Sequence, residues 1–500
     1  MAPRILRLTL LGRQLRRRQR QPPTSRWFSS GISGCEQTRF SYFAPANQKV
    51  SYFLYNKRRS EGSVAKTDFQ DLIVKLGQAK WLDNSNGHNA ATLLATPHFA
   101  KAVEDSDLVG EISRCLAGSA KARPFHVLCA IVDHVPPARG ETGAMQGISV
   151  LRGHLDDTLP EPWPSSQSQN DRQSEALASL SFDLGSSSIT LPLARTIFDN
   201  SRPSTLTMSR YDFEIDSPRL VDKVSKMFQT VRLSPKEEPQ TLRDLELWAP
   251  LSPLTWPRVV TDSFGNIIRG VEIDGTTHPA SSELESAVES IFQNMPASET
   301  PTGPVGIWAM ITANELSNHD GPLDPTPILQ GKTLTRQLIE ADAKIICNYF
   351  RARGRLYQVL SGGGGWGAKK GLLSLDPQRT HMPLSDEEEM ARFMQAFDPN
   401  SGFAPAGSRV QFFATPRASP KDTALTTTGT IFGVPSRAHD APEAEVFQGG
   451  YLKKDHFGAL SKAGIFMSGP SESGEEHPDE RKLSVPGSGI LVQRSKEVTS

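Results

Sequence analysis

The chain has 500 residues, more than one ordinary hydrophobic core organises, so two domains with linkers are expected. Its 37% hydrophobic and 22% charged residues exclude a fully disordered protein. The formal net charge is zero and no run of about 18 apolar residues occurs, so neither a strongly basic polymer binder nor a membrane-spanning helix is expected.

The first 35 residues have the composition of a mitochondrial presequence. They contain eight arginines and no Asp or Glu, and apolar residues recur at helical spacing between Ile5 and Leu15. The stretch Arg-Trp-Phe-Ser at 26–29 resembles the arginine-at-minus-three signal of mitochondrial processing peptidases and predicts cleavage near Phe28. We therefore expect contact with the mitochondrial import and processing machinery and residence in the matrix. A basic arm that binds nucleic acid is the alternative for these residues.

Loss of the presequence changes the charge balance. Without its eight arginines the chain keeps 47 basic against 55 acidic side chains, a net charge near −8. Basic contacts to phosphate supply most nonspecific affinity for nucleic acid, so RNA binding would require a local positive patch. With no spanning segment expected, the membrane alternative that remains is peripheral association with the inner membrane.

We predict an α/β (or α+β) fold with two mixed-sheet domains and long loops. Five segments are expected after the presequence: an N-terminal extension at 36–85, a first domain at 86–232, a Pro-rich linker at 233–257, a second domain at 258–467 and a mostly flexible tail at 468–500. Aromatic residues of the extension, among them Phe40, Tyr42 and Phe43, either stack on nucleotides or are buried on the adjacent domain.

Hydrophobic spacing predicts the elements of the first half. The most distinct is a continuous apolar run at 125–132, typical of a strand buried on both faces. Asp133 follows this run, either as an acid that faces a ligand or as a solvated turn residue. The predicted elements are helices at 67–80, 98–118 and 217–230, strands at 125–132, 147–151, 177–182, 188–193 and 204–209, and a polar, mobile loop at 156–176.

In the second half, a Gly265-Asn266 turn predicts a β-hairpin over 258–273. The clearest helix spans 333–353, with an apolar face that runs from Leu334 to Phe350. The remaining predicted elements are a helix at 281–292, strands at 307–311, 355–361, 409–414 and 427–434, and a disordered stretch at 468–486.

A glycine-rich loop after the strand at 355–361 is the most specific local motif. Glycines lack Cβ atoms, so several backbone N–H groups can turn toward one anion, while a lysine neutralises it and a tryptophan stacks on a base or ring. The residues that we predict for this site are Gly362, Gly363, Gly364, Gly365, Trp366, Gly367, Lys369 and Lys370. In the structural alternative, the glycines allow two elements to pack closely and Trp366 fills a core.

The loop is not a P-loop. Gly362 and Gly367 have the required separation, but Ala368-Lys369-Lys370 stands where a lysine and then a serine or threonine should follow, so no hydroxyl is available for magnesium.

The loop is the C-terminal end of a positively charged segment, whereas the rest of the chain after the presequence is acidic overall. Residues 332–371 carry eight basic side chains against two acidic ones. Basic side chains clustered in this way favour contacts with phosphate groups. The arginines that we predict to bind RNA or another anion are Arg351, Arg353 and Arg355.

Catalytic and metal-binding motifs are weak. The sequence has no G-x-S-x-G, H-E-x-x-H or paired Cys/His pattern, and its four cysteines lack metal-ligand spacing. The acidic run at 386–389 favours the start of a helix over a metal site, and His126 is interpreted as a core residue of its strand. We predict no catalytic residue, no metal ligand and no particular cofactor, and enzymatic activity stays open.

The helix at 98–118, followed by the strands at 125–132 and 147–151, resembles the N-terminal half of FIST-type sensory domains, which occur with F-box and intracellular signal-transduction proteins. The resemblance covers residues 88–210, about a quarter of the chain. It implies an α/β body that binds a small ligand, with the second half as the companion C-terminal domain.

These features favour a soluble mitochondrial accessory protein that binds a phosphate-bearing ligand or RNA through the glycine-rich basic loop. A FIST-like small-molecule sensor is one alternative, and a matrix enzyme with a site that no motif marks is another.

Overall fold

Contacts divide the chain into two units, Met1–Cys35 and Glu36–Ser500. The computed structural model describes parts of the second unit, namely residues 37–45, 61–82, 87–118, 124–138, 145–163, 177–213, 217–233, 240–294, 306–313, 323–332, 334–362, 371–381, 390, 402–416, 429–436, 449–470 and 478–494.

The helices of these ranges are α1 (Glu61–Gln78), α2 (Ala100–Glu104), α3 (Ser106–Ala117), α4 (Leu155–Thr158), α5 (Ile197–Asn200), α6 (Ser282–Gln293), α7 (Thr326–Leu329) and α8 (Arg336–Arg351), with 3-10 turns at Lys80–Leu82 and Pro97–Phe99. The strands up to the middle of the chain are β1 (Thr38–Phe43), β2 (Ala90–Ala95), β3 (Phe125–Ile131), β4 (Gly147–Gly153), β5 (Ser179–Asp183), β6 (Ser188–Pro192), β7 (Leu206–Phe213), β8 (Pro218–Ser225), β9 (Phe228–Arg232), β10 (Glu246–Trp248) and β11 (Ser252–Pro253). The later strands are β12 (Arg258–Phe264), β13 (Ile267–Ile273), β14 (Thr276–Pro279), β15 (Ile307–Thr312), β16 (Arg355–Gly362), β17 (Leu373–Leu375), β18 (Arg409–Ala414), β19 (Gly429–Gly433), β20 (Tyr451–Lys454), β21 (His456–Leu460), β22 (Ile465–Gly469), β23 (Asp479–Leu483) and β24 (Gly489–Arg494).

A seven-stranded mixed sheet organises the first half, in the order β20-β1-β4-β2-β3-β7-β8. Every residue of β3 is buried, and β3 pairs parallel with β2 and antiparallel with β7, because its uninterrupted apolar sequence suits a strand covered on both faces. One face of the sheet packs against α1, α2 and α3 through residues such as Phe69, Val103 and Ile112. The predicted mixed α/β fold is therefore confirmed.

Two smaller sheets cover the other face of the seven-stranded sheet. Their orders are β10-β24-β19-β21 and β23-β22-β6-β5-β9. Leu128 of the large sheet shares one core with Phe182 and Phe457 of the small sheets, and α8 adds Ile346 and Phe350 to that core. The result is a sandwich with helices outside both sheet layers.

The second half contributes a barrel. Strands β12, β13, β17, β16, β15 and β18 pair antiparallel in a closed ring, because β18 pairs with β15 on one side and with β12 on the other. The barrel core includes Val260, Ile268, Tyr357 and Phe412, and α6 packs on it through Leu284. The predicted hairpin at 258–273 is confirmed as β12 and β13.

Most predicted elements lie within a few residues of the observed ones. The helix predicted at 98–118 is interrupted at Asp105, whose Oδ1 accepts the backbone N–H of Asp107 at 3.1 Å and of Leu108 at 3.3 Å and so starts α3. Phe40, Tyr42 and Phe43 have no exposed surface, so these three aromatic residues of the extension are buried rather than available for nucleotides.

The helix predicted at 217–230 is wrong. This stretch forms β8 and β9, and β8 pairs with β7 as the last strand of the seven-stranded sheet. Apolar residues at 220, 224, 228 and 231 mimic a helical period, but the backbone pairs with the open edge of β7 and leaves Leu220 and Val221 about 40% exposed. Tertiary pairing thus overrides the local pattern.

The sheets also depart from the predicted domain order. Strands β20 to β24 lie in the predicted second domain and tail, yet they complete all three sandwich sheets together with strands that precede residue 250. The prediction of a mostly flexible tail at 468–500 does not hold for 478–494, which forms β23 and β24. Within the described ranges, no helix has the length and apolar character that crossing a membrane requires.

Candidate anion-binding site

The glycine-rich loop connects two strands of the barrel. Gly362 ends β16 and pairs with Leu373 of β17, so the strands on either side of the loop are antiparallel neighbours. A phosphate-binding P-loop leads from a strand into a helix, so this topology agrees with the exclusion of a P-loop. The predicted residues Gly363, Gly364, Gly365, Trp366, Gly367, Lys369 and Lys370 lie outside the described residues.

The two described glycines that flank the loop have structural reasons of their own. A Cβ on Gly362 would overlap the Leu373 side chain. Gly371 has φ +87° and leaves no room for a Cβ beside Pro279. Close packing explains these two positions without a ligand.

The three predicted arginines lie at the other end of β16. Arg351 ends α8, Arg353 occupies the following turn with φ +69°, and Arg355 begins the strand. At roughly 3.3 Å per residue, the strand separates Arg355 from Gly362 by about 23 Å. The structure therefore places Arg355 and Gly362, where the glycine-rich loop begins, at opposite ends of one strand.

The arginine end of β16 gathers cations from several elements. We call this group the arginine cluster, which consists of Arg353, Arg355, Arg379, Arg481 and Lys482, together with the acidic residues Asp376, Asp479 and Glu480. Its five cationic side chains face three acidic ones, so the cluster keeps a positive excess even with every acid ionised.

Asp479 is the central acid of the arginine cluster. Its Oδ2 accepts from Arg481 Nε at 3.1 Å, and its Oδ1 lies 3.8 Å from Arg355 Nη2. Burial alone would raise the pKa of Asp479, but the bond from Arg481 and the charges of Arg481, Arg355 and Arg353 hold that pKa below its usual range. Asp479 is therefore a stable anion that fixes two arginines of the cluster.

Lys482 and Arg481 tie the barrel to the sandwich. Lys482 Nζ on β23 lies 2.6 Å from Asp376 Oδ2, just after β17 of the barrel. Arg481 also donates through Nη1 to the carbonyl oxygen of Phe350 in α8. These contacts hold the arginine cluster at the junction of the two parts.

Arg379 differs from the other members of the cluster. Its guanidinium carbon lies 3.9 Å from the centre of the Phe403 ring and 5.9 Å from that of Tyr357, at the barrel end where β16 begins. Its Nε and Nη2 atoms and the Tyr357 hydroxyl are buried, and none of them makes a hydrogen bond of good geometry, although Tyr357 lies close enough to act on the guanidinium. Burial is the main influence and lowers the pKa of Arg379. The charge of Arg355 lowers it further, whereas Tyr357 and Glu480 oppose that shift.

This arrangement suits an anion. Arginine presents Nε and Nη2 as a planar fork that matches two oxygens of a phosphate or carboxylate. Buried donors without an acceptor carry a desolvation cost, which an anion would offset. Ligand sites also occur at the mouths of β-barrels.

Sequence reasoning identified Arg353 and Arg355 but not Arg379, Tyr357, Arg481 or Lys482. Arg379 reaches the cluster because β17 turns the chain back along β16, where Asp376 N–H donates to the Gln358 carbonyl oxygen at 2.8 Å. Arg481 and Lys482 arrive on β23, more than a hundred residues further along the chain. No local sequence pattern predicts that Arg379, or Arg481 with Lys482, lies near Arg355.

Other residues considered in the sequence have structural roles or lie outside the description. Asp133 Oδ2 accepts the Lys462 N–H at 2.8 Å, and burial raises the pKa of Asp133. Residues 386–389 lie outside the described residues. In the ranges that the structure covers, no three His, Cys, Asp or Glu side chains are grouped so that they could hold a metal ion.

Comparison with protein-family models, with curated proteins and with solved structures found no match for this chain.

Proposed function

We propose that this protein binds a small phosphate-bearing ligand at the barrel end marked by Arg379, and that it acts as a binding or accessory protein of the mitochondrial matrix. The observation that carries the proposal is the pair of buried N–H donors, Nε and Nη2 of Arg379, that lack an acceptor. A phosphate oxygen pair would take both donors.

The positive excess of the arginine cluster favours phosphate over a single carboxylate. Arg355 and Arg379 are close enough for one charge to act on the other, and a bound phosphate would reduce that repulsion further than Asp479 and Glu480 already do. The buried position of the Arg379 donors favours a small ligand over RNA, because a polymer backbone reaches exposed groups more readily than covered ones.

The glycine-rich loop supports a second candidate, binding of a phosphate-bearing ligand or RNA at Gly363 to Lys370. Its support is the sequence itself, four glycines beside Trp366, Lys369 and Lys370. Since the loop lies at the opposite end of β16 from Arg379, the two candidates are independent.

Isothermal titration of the purified protein with inorganic phosphate and with pyrophosphate tests the Arg379 proposal. We expect pyrophosphate to bind, and Arg379→Met to weaken that binding at least about tenfold because a charge-assisted bidentate contact is lost. Arg269→Met is the matched control, since Arg269 also lies over a phenylalanine, 5.2 Å from the Phe264 ring, but half-exposed.

Equal binding by wild type and Arg379→Met would overturn the proposal, as would the absence of binding by either anion. A labelled single-stranded RNA forms the third arm of the experiment. Tight RNA binding that survives Arg379→Met would transfer the function to the glycine-rich loop or another surface.

A further inference from the structure

A second cluster lies on the inner face of the seven-stranded sheet, far in sequence from the barrel. His126 of β3 and Arg210 of β7 are directly opposite each other in the antiparallel register. Trp163 covers both: its ring centre lies 5.8 Å from that of His126 and 5.6 Å from the Arg210 guanidinium carbon.

Two polar atoms of this cluster are buried and lack a partner. They are His126 Nδ1 and Trp163 Nε1. His126 as a whole is 8% exposed. Leaving a buried polar atom unpaired is unfavourable. A buried donor and a buried imidazole nitrogen on neighbouring rings are an arrangement that a ligand edge would complete.

The segment that carries Trp163 is held in place. Lys226 Nζ donates to the Pro162 carbonyl oxygen at 2.8 Å, and Gln229 Nε2 donates to that of Pro160 at 2.8 Å. Glu161 between them has φ +47°, a strained conformation for a residue with a side chain. The bonds from Lys226 and Gln229 anchor the segment immediately before Trp163.

The charges around His126 do not favour an anion. Arg210 supplies one positive charge, and its Nη2 lies 3.9 Å from Asp222 Oδ2. Asp156 and Asp212 add negative charge near His126. Burial first, and then Arg210, lower the pKa of His126 to about 4 against the opposing effect of the two aspartates, so the imidazole is neutral at physiological pH.

We propose that His126 and Trp163 form a second ligand site, which takes an uncharged ligand with an amide-type edge, as in a lactam or a nucleobase. Trp163 Nε1–H donates to the ligand carbonyl oxygen. His126, in the tautomer with its proton on Nε2, accepts the adjacent ligand N–H at Nδ1. A donor and an acceptor side by side match such an edge, whereas an anion would meet the neighbouring aspartates.

Trp163 is only partly buried, so the proposed ligand would enter beside its indole. This site belongs to the sandwich and is separate from the arginine cluster. The two proposals can therefore be tested independently.

Nuclear magnetic resonance of the full chain with ¹⁵N-labelled tryptophan tests the site, with uracil as the probe. Trp163→Phe removes the N–H, keeps an aromatic ring and identifies the Trp163 indole signal. We expect uracil to shift that signal. We expect 1,3-dimethyluracil, which lacks N–H groups, and benzoate, which is an anion, to bind at least about tenfold more weakly.

Matched variants complete the test. His126→Phe should abolish the uracil-induced shift of the Trp163 signal, and Trp256→Phe, at an indole 38% exposed elsewhere, should leave it unchanged. The melting temperature of each variant separates loss of binding from loss of fold. A Trp163 signal that uracil does not move, or that benzoate moves equally well, would overturn the proposal.

Discussion

Ser41 Oγ and His456 Nδ1 lie 2.7 Å apart although 415 positions separate them in the chain. Ser41 Oγ is also 2.7 Å from Ser149 Oγ, and all three side chains are completely buried. The bond joins β1 of the seven-stranded sheet to β21 of the facing four-stranded sheet. A polar link of this kind, buried between two apolar faces, holds the two layers of the sandwich in one alignment.

Removal of this link should be costly. We expect Ser41→Ala to lower the free energy of unfolding by about 1–3 kcal/mol, because His456 and Ser149 lose a partner in a buried site. Urea unfolding monitored by far-ultraviolet circular dichroism measures the change. Ser286→Ala, which removes an exposed hydroxyl on α6, is the control and should change stability by less than about 0.5 kcal/mol. Equal effects of the two substitutions would show that the link contributes nothing.

Acid should begin to destabilise the fold below about pH 6.5, where the histidines of the unfolded chain take up protons. Burial lowers the pKa of four histidines to about 4, namely His88, His126, His134 and His456. The unfolded chain binds protons on these residues near pH 6.5, whereas the native protein does so only near pH 4. The contribution of these buried, neutral histidines to the free energy of unfolding is therefore full above about pH 6.5. It is lost as the pH falls from about 6.5 to 4.

Urea midpoints at pH 7.5, 6.5, 5.5 and 4.5 measure this effect. Each such histidine adds a slope of at most about 1.4 kcal/mol per pH unit within the window. His456→Phe should reduce the slope, although it also lowers stability at every pH through loss of the bond to Ser41. A flat profile between pH 6.5 and 4.5 would contradict the assignment of neutral buried histidines.

The glycine-rich loop makes opposite predictions for its two interpretations. If the loop binds an anion or RNA, Lys369→Glu with Lys370→Glu abolishes that binding and leaves the melting temperature nearly unchanged. Trp366→Ala then weakens binding by about 1–3 kcal/mol. If Trp366 fills a core instead, the lysine changes are silent and Trp366→Ala destabilises the protein by roughly 3–5 kcal/mol. Binding and melting measured on both variants decide between them.

The N-terminal residues should be sufficient for import. A fusion of residues 1–35 to a fluorescent protein is expected to enter mitochondria, because an arginine-rich, acid-free amphipathic segment suits the import machinery. Mass spectrometry of the processed chain should find its first residue near Ser29. Replacing Arg4, Arg7 and Arg13 with glutamine is the matched control and should leave the fusion in the cytosol. Cytosolic fluorescence of the unaltered fusion would reject the presequence.

Local sequence was a sound guide wherever an element is decided by its own residues. The apolar run that became β3 is buried at every position, and the Gly265-Asn266 turn lies between β12 and β13 as expected. It failed at β8, where a helical period of apolar residues meets a free sheet edge. Pairing with a sheet edge depends on residues distant in the chain, so the spacing of apolar residues within β8 does not predict it.

The candidate site was predictable only in part, for a related reason. Arg353 and Arg355 stand out as a dense basic stretch, but the glycine-rich loop next to them in sequence is separated from them by the length of β16. Arg379 and Arg481 approach them through the return of β17 and the late arrival of β23. Nearness in sequence wrongly grouped the glycine-rich loop with Arg353 and Arg355. It gave no sign that Arg379 and Arg481 lie beside them.

The positions of β20 to β24 in the sheets determine when the sandwich can form. A ribosome delivers residues 451–494 last, yet β1, β6 and β10 take partners from them and β19 takes both of its partners. Until that moment the growing polypeptide carries open strand edges and an uncovered apolar face, both prone to aggregation. The sandwich can therefore close only once residues 451–494 are present, so stop codons shortly before position 451 should yield insoluble products.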